Sequence, residues 1–219
     1  MPVRGIFAAA VFSLAASLYG TIGAASENPV ESQGMSEVAM TDDAFWAIIA
    51  KTTAYESDQD RQLDALRQAL RQLSASDIVA FELAFHREQL RAYTWDLWGA
   101  AYVINGGASD DGFEYFRRWL ISRGRKVFES AVANPDSLAS LIPADAHDLA
   151  DFEGFAYVAG RVWQEKTGIN PWKDPKATFP YSGAPPAKEP SGTPFKEDDS
   201  YLKSRYPKLW ARFGTSPLN

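Results

Sequence analysis

The sequence predicts a mainly α-helical fold, an irregular multi-helix bundle with a proline-rich C-terminal strap and a short final helix. Three observations predict it. Apolar residues recur at spacings of three and four from residue 41 to residue 168, no convincing run of alternating residues or internal repeat is present, and seven of the thirteen prolines fall between Pro171 and Pro194.

The chain opens with Arg4 as the one charge of residues 1–5, then the apolar run Ile6 to Tyr19, then Gly23-Ala24-Ala25 before Ser26-Glu27. That is the three-part layout of a secretory signal peptide over residues 1–25, and the run is too short for a membrane span of about 20 residues. A polar linker, 26–40, follows. The competing reading starts translation at Met40, immediately before the helix-start residues Thr41-Asp42-Asp43. The expected location is therefore outside the cytoplasm, periplasmic or secreted, or cytoplasmic if Met40 is the true start.

The helical domain is expected over 41–168. Thr41 caps a first helix whose Phe45 and Ile49 share a face. Leu63, Leu66, Leu70 and Leu73 make residues 58–73 amphipathic, with Arg61, Arg67 and Arg71 outward. Ser74-Ala75-Ser76-Asp77 is a capping box ahead of Ile78, Phe81 and Phe85. The apolar segment from Trp95 to Ile104 stops at Asn105-Gly106-Gly107, and Ser109 restarts a helix lined by Phe113, Phe116, Trp119 and Leu120 that ends near Gly124. Val127, Phe128 and Val132 mark a short helix up to Asn134-Pro135, and Phe152, Phe155, Tyr157, Val158 and Val162 mark a last long one up to Gly168. Phe45, Leu66, Phe81, Phe85, Trp98, Phe116, Trp119 and Phe155 are expected in one core.

Residues 169–219 are expected to pack on that domain. Proline blocks helix between Pro171 and Pro194, yet Trp172, Phe179, Tyr181 and Phe195 need apolar cover, so a strap tied down at Trp172 or Phe179 is predicted. The final helix begins at Pro207 and buries Leu209, Trp210 and Phe213.

Composition narrows the chemistry. The chain has no cysteine, which removes disulfides, thiolate metal sites, iron–sulfur clusters and cysteine nucleophiles together. Its net charge of -6 gives no electrostatic reason to approach nucleic acid or anionic lipid. A protein partner with a basic or neutral surface is easier to accommodate, with no nucleic acid and no stable membrane span expected. His86 and His147 are the only histidines, so no two-histidine helix motif exists, and His86 reads as a structural or surface residue. Gly106-Gly107 before Ser109 lacks the lysine and the preceding strand of a phosphate loop, and no serine elbow is present. No cofactor or metal site is expected.

One polar set stands out. Asp96, Asn105, Asp110, Asp111 and Glu114 flank the glycine pair in a segment otherwise rich in rings, with Trp95 and Trp98 on either side of Asp96. On a helix starting at Ser109, Asp110 and Glu114 lie one turn apart and could converge with Asp96 on a hard cation or a partner's basic side chain. The plainer reading makes Asp110 and Asp111 first-turn acids that complement the helix dipole. Asp96 between indoles needs a partner, for which Arg117, Arg161 or the backbone N–H groups near Asn105 to Ser109 are the candidates, and it is expected to be largely buried. Arg117, Arg118, Arg123, Arg125 and Lys126 crowd ten residues and are read as a solvated helix face with internal ion pairs rather than an anion patch.

The run Trp95-Asp96-Leu97-Trp98-Gly99-Ala100-Ala101-Tyr102-Val103-Ile104-Asn105-Gly106-Gly107, with Ser109-Asp110-Asp111-Gly112-Phe113 and Phe116-Arg117-Arg118-Trp119-Leu120, resembles the bacterial family domain of unknown function 4240. Phe45-Trp46, Asn134-Pro135-Asp136-Ser137-Leu138 and Tyr206-Pro207-Lys208-Leu209-Trp210 add to the resemblance, which covers roughly 41–168 plus the C-terminal helix. It implies a fold and supplies no catalytic residues. The family pattern starts about where Met40 lies, which favours the cytoplasmic alternative, and Ala108 stands where similar sequences often carry cysteine.

Two functions follow as expectations. The first is a non-enzymatic binding or immunity-like protein that meets a basic partner through an acidic, aromatic surface. The second is an acid–base or divalent-metal-assisted enzyme using Asp96, Asp110, Asp111 and Glu114. Convergence of those carboxylates in one pocket separates the two.

Overall fold

The computed structural model describes residues 39–146, 148–175, 177–180 and 189–218. The leader, all but the end of the linker, His147 and Tyr181 lie outside the described residues.

Helix α1 spans Asp42–Ala50, with Thr41 accepting from the Ala44 N–H at 3.2 Å. A 3₁₀ turn at Thr53–Tyr55 leads to α2, Gln59–Arg71, whose cap is Asp58. Helix α3, Ala75–Arg91, is capped by Ser74, and α4, Trp95–Asn105, by Thr94. Gly106 ends α4 at φ +67°, the left-handed geometry that glycine adopts without steric cost. Ser109 accepts from the Gly112 N–H at 3.1 Å and starts α5, Asp110–Ser122, after which Gly124 precedes α6, Arg125–Ala133. A 3₁₀ turn at Pro135–Ser137 runs into the short α7, Leu138–Leu141, and another at Glu153–Ala156 into α8, Tyr157–Thr167. The described residues contain no strand, only an isolated bridge from Thr94 to Ser191.

The periodicity placed the core. Phe45, Leu66, Phe81, Phe85, Phe116, Trp119 and Phe155 are all buried in one cluster, where α3 and α2 both pack on α8. Trp98 is half-buried at its edge because its indole N–H reaches out to the Ala108 carbonyl at 2.9 Å. Gln62 on α2 is fully buried as well, a polar residue in the leucine face that donates to the Ser122 carbonyl at 2.9 Å.

Within the C-terminal segment, Phe179 is buried against Trp163 with ring centroids 5.4 Å apart. Trp172 lies over Gly160 and Tyr157 while remaining exposed. Ser191 ties the strap to the α3–α4 junction: its N–H donates to the Tyr93 carbonyl at 3.0 Å, and its carbonyl accepts from the Trp95 N–H at 2.9 Å.

A helix that the sequence did not suggest, α9 at Asp199–Arg205, precedes α10 at Pro207–Phe213. The sharp break at Tyr206 between them turns that side chain into the core, where it is 1% exposed. Leu209, Phe213 and Leu218 are buried beside it, each contributing about 1.5–3 kcal/mol of gross burial, whereas Trp210 is only half-buried. No helix among the described residues is long and apolar enough to cross a membrane.

Candidate functional site

The α4–α5 region builds a ladder of rings. Trp95 stacks on Trp98 at 5.1 Å and 8°, Trp98 on Phe113 at 4.9 Å and 12°, and Phe113 on Tyr93 at 6.1 Å. Phe113 anchors this ladder in the core, while Trp95, Trp98 and Tyr102 are half-buried at its outer end. Spacing explains the arrangement, because positions 95, 98 and 102 lie on one face of α4. Phe195 from the strap completes the group, 6.4 Å from Trp95 and 5.6 Å from Tyr102.

The acidic set does not converge. Asp96 is half-buried rather than buried, and its partners are neither Arg117 nor Arg161 nor the turn backbone. It forms an ion pair with Arg205 and accepts from the Tyr206 hydroxyl at 3.1 Å. Its place near the start of α4 directs it to the C-terminal helices and away from α5. Burial, with the Asp96 carboxylate alongside, raises the Tyr206 pKa above the ordinary phenol range and keeps that hydroxyl a donor. Glu114 pairs with Arg118 one turn along α5. Asp110 and Asp111 are exposed in the first turn of α5. Asn105 is a structural clip: its amide donates to the Ala150 carbonyl at 3.3 Å and accepts from the Ala150 N–H at 3.0 Å. No group of three or more metal-ligating side chains is present among the described residues.

The arginine cluster also differs from expectation. Arg117 and Arg118 are buried rather than solvated, because α5 is covered on both sides. Arg117 lies over the rings of Tyr93 at 4.7 Å and Phe113 at 5.2 Å and donates to the Gln89 carbonyl at 2.9 Å. Arg123 donates to the Glu56 carbonyl at 2.6 Å and to Gln62 at 2.8 Å. Desolvation lowers both Arg117 and Arg123 to about 10, which leaves them cationic at neutral pH. Arg125 and Lys126 are exposed, as expected of a solvated face, and Arg125 pairs with Asp43 at 2.6 Å.

Several residues escaped sequence reasoning. Asp136 is buried and accepts from the Lys208 N–H at 3.0 Å and the Leu209 N–H at 2.9 Å, capping α10 from 72 positions away. Arg212 returns the favour to α7 by donating to the Ala139 and Ile142 carbonyls at 2.8 and 2.7 Å. Gly99 lets α4 approach Tyr206, since a Cβ there would collide with the Tyr206 hydroxyl. A pairing of this range leaves no local signal, although the Asp96, Asp136 and Tyr206 segments had each been singled out separately.

A family model described as "Protein of unknown function (DUF4240)" matches residues 40–165, more than half of the chain. The matched span begins at Met40 and ends within α8, so α9 and α10 lie beyond it. No curated protein and no solved structure matches.

Proposed function

The chain belongs to the DUF4240 family, and from that premise we propose that it is a non-enzymatic, partner-sequestering protein of the immunity-like kind. Its contact surface is the ring group Trp95, Trp98, Tyr102 and Phe195 with the carboxylates around it. The observation that carries this reading is the stacked pair Trp95–Trp98, held half-exposed on a rigid helix. Large rings with few rotatable bonds contribute much of the contact energy of protein interfaces at small entropic cost.

Charge supports a basic partner. Asp110, Asp111, Glu197, Asp198 and Asp199 are exposed, and the chain carries -6 overall, which steers a cationic surface toward it. The enzyme alternative receives less support, because Asp96 and Glu114 are committed to Arg205 and Arg118. The leader pattern at 1–25 favours meeting that partner outside the cytoplasm. Mass spectrometry of protein from its own host reads this directly, since a first residue near Ser26 fits export and Met40 contradicts it.

The test is selection of displayed peptides on the purified protein, followed by calorimetry. Selected peptides rich in Lys and Arg that lose affinity about tenfold or more in Trp95→Ala and Trp98→Ala fit the proposal. Peptides without basic enrichment, or binding that both variants retain, overturn it.

A further inference from the structure

We infer that residues 191–197 of the strap are a movable jaw of the ring surface, latched at Ser191 and set by the backbone of Gly192, which closes Phe195 and Glu197 onto a basic side chain of the partner. This device rests on the partner-binding reading of the ring group.

The latch has a local cause. The N–H of Trp95 belongs to the first turn of α4, where no helical carbonyl reaches it, and the carbonyl of Tyr93 lies just past the end of α3. Ser191 satisfies both, accepting from Trp95 at 2.9 Å and donating to Tyr93 at 3.0 Å. The pairing stops at the single bridge from Thr94 to Ser191, because α4 begins at Trp95 and leaves the strap no extended partner. Tyr93 and Trp95 also supply the two end rings of the stack that runs through Trp98 and Phe113, so the strap is fastened to the backbone of the ring surface itself.

Among the described residues little else holds this segment. Ser191 to Pro194, Lys196 and Glu197 are exposed, and Phe195 is the one side chain of the jaw that is partly buried. The fixed points lie outside it: Pro190 is buried, and Asp198 caps α9 by accepting from the Tyr201 N–H at 2.8 Å. Few buried apolar contacts and solvent-exposed backbone hydrogen bonds mark a segment that opens without global unfolding. Gly192 adopts φ +92°, and a Cβ there would meet nothing within 4 Å, so this glycine acts through its backbone conformation alone. Closed, the jaw sets Phe195 against Trp95 and Tyr102 and brings Glu197 to accept from the Tyr102 hydroxyl at 3.3 Å. A cation lying on these rings then meets a carboxylate as well, which suits a Lys or Arg side chain.

Amide hydrogen exchange on the full chain, without ligand and then with tetra-arginine, tests the jaw alongside calorimetry of the same mixtures. Without ligand, the Ser191 and Trp95 amides should exchange together, about a hundredfold faster than those of Ala101 and Ile104 inside α4 and at a rate that low urea leaves unchanged. Tetra-arginine should slow the pair about tenfold and leave Ala101 and Ile104 unmoved. Gly192→Val is strained at that φ yet clear of every neighbour, so it should speed the exchange and weaken tetra-arginine binding about tenfold while the thermal midpoint holds. Ser191 and Trp95 amides as slow as that of Ile104, or equal affinity in wild type and Gly192→Val, overturn the jaw and leave the ring surface standing. No binding to the wild type, or binding that Trp98→Ala does not weaken, is a failure of the ring surface itself, and the jaw falls with it.

Discussion

The Tyr206 hydroxyl donates to the Asp96 backbone carbonyl at 2.9 Å and lies 3.1 Å from its Oδ1, joining the start of α4 to the junction of α9 and α10. This one buried group couples the family-matched region to helices beyond it. Tyr206→Phe keeps the ring and removes the donor, so it should cost about 1 kcal/mol in urea unfolding, while truncation before α9 removes Tyr206, Leu209 and Phe213 from the core and should cost several times more.

Gly99→Ala should reverse the usual preference. Inside a helix alanine is favoured over glycine by about 1 kcal/mol. At position 99 the added Cβ meets the Tyr206 hydroxyl, so the substitution should destabilise instead. Combined with Tyr206→Phe, which relieves the nearest clash, the two effects should total less than their sum in a double-mutant cycle, and strict additivity would show that the helices do not approach this closely.

Asp136→Ala should cost roughly 1–2 kcal/mol in thermal or chemical unfolding, since it strips a cap from α10 and leaves the N–H groups of Lys208 and Leu209 without their acceptor. Asp110→Asn, on an exposed first-turn acid, serves as the comparison and should lie within about 0.5 kcal/mol of wild type.

His86 gives a pH dependence with a definite sign. Burial, aided by the Arg117 charge, lowers its pKa below the ordinary 6.5, so the unfolded chain binds this proton more readily than the folded one. Stability should therefore fall as pH drops below 6.5 toward the folded value, and His86→Gln should flatten that part of the profile. An unchanged profile in the variant would mean that other groups carry the effect.

The helices were legible because their signals are local: Thr41, Ser74 and Ser109 cap where their sequence neighbours suggest, and Gly106 and Gly168 end helices in left-handed geometry. Side-chain partners were not. Asp96 could be recognised as needing one, but Arg205 and Tyr206 lie over a hundred positions away, and nothing in sequence orders such pairings by distance. The arginines of α5 depart from the expected solvated face for a related reason. Charge suggests solvent, and only the packed fold shows that Arg117 and Arg118 are enclosed by rings and carbonyls.

On the proposed reading, the α4–α5 region is a partner-binding surface and not a metal-assisted centre. Thermal midpoints of wild type, Asp96→Asn, Asp110→Asn and Glu114→Gln, each with and without Mg²⁺, Ca²⁺ or Mn²⁺, test it most directly. Asp96→Asn and Glu114→Gln should lower the midpoint modestly through loss of contacts to Arg205, Tyr206 and Arg118, Asp110→Asn should not, and no cation should raise the wild type. A cation-dependent rise in the wild type that disappears in all three variants would contradict it.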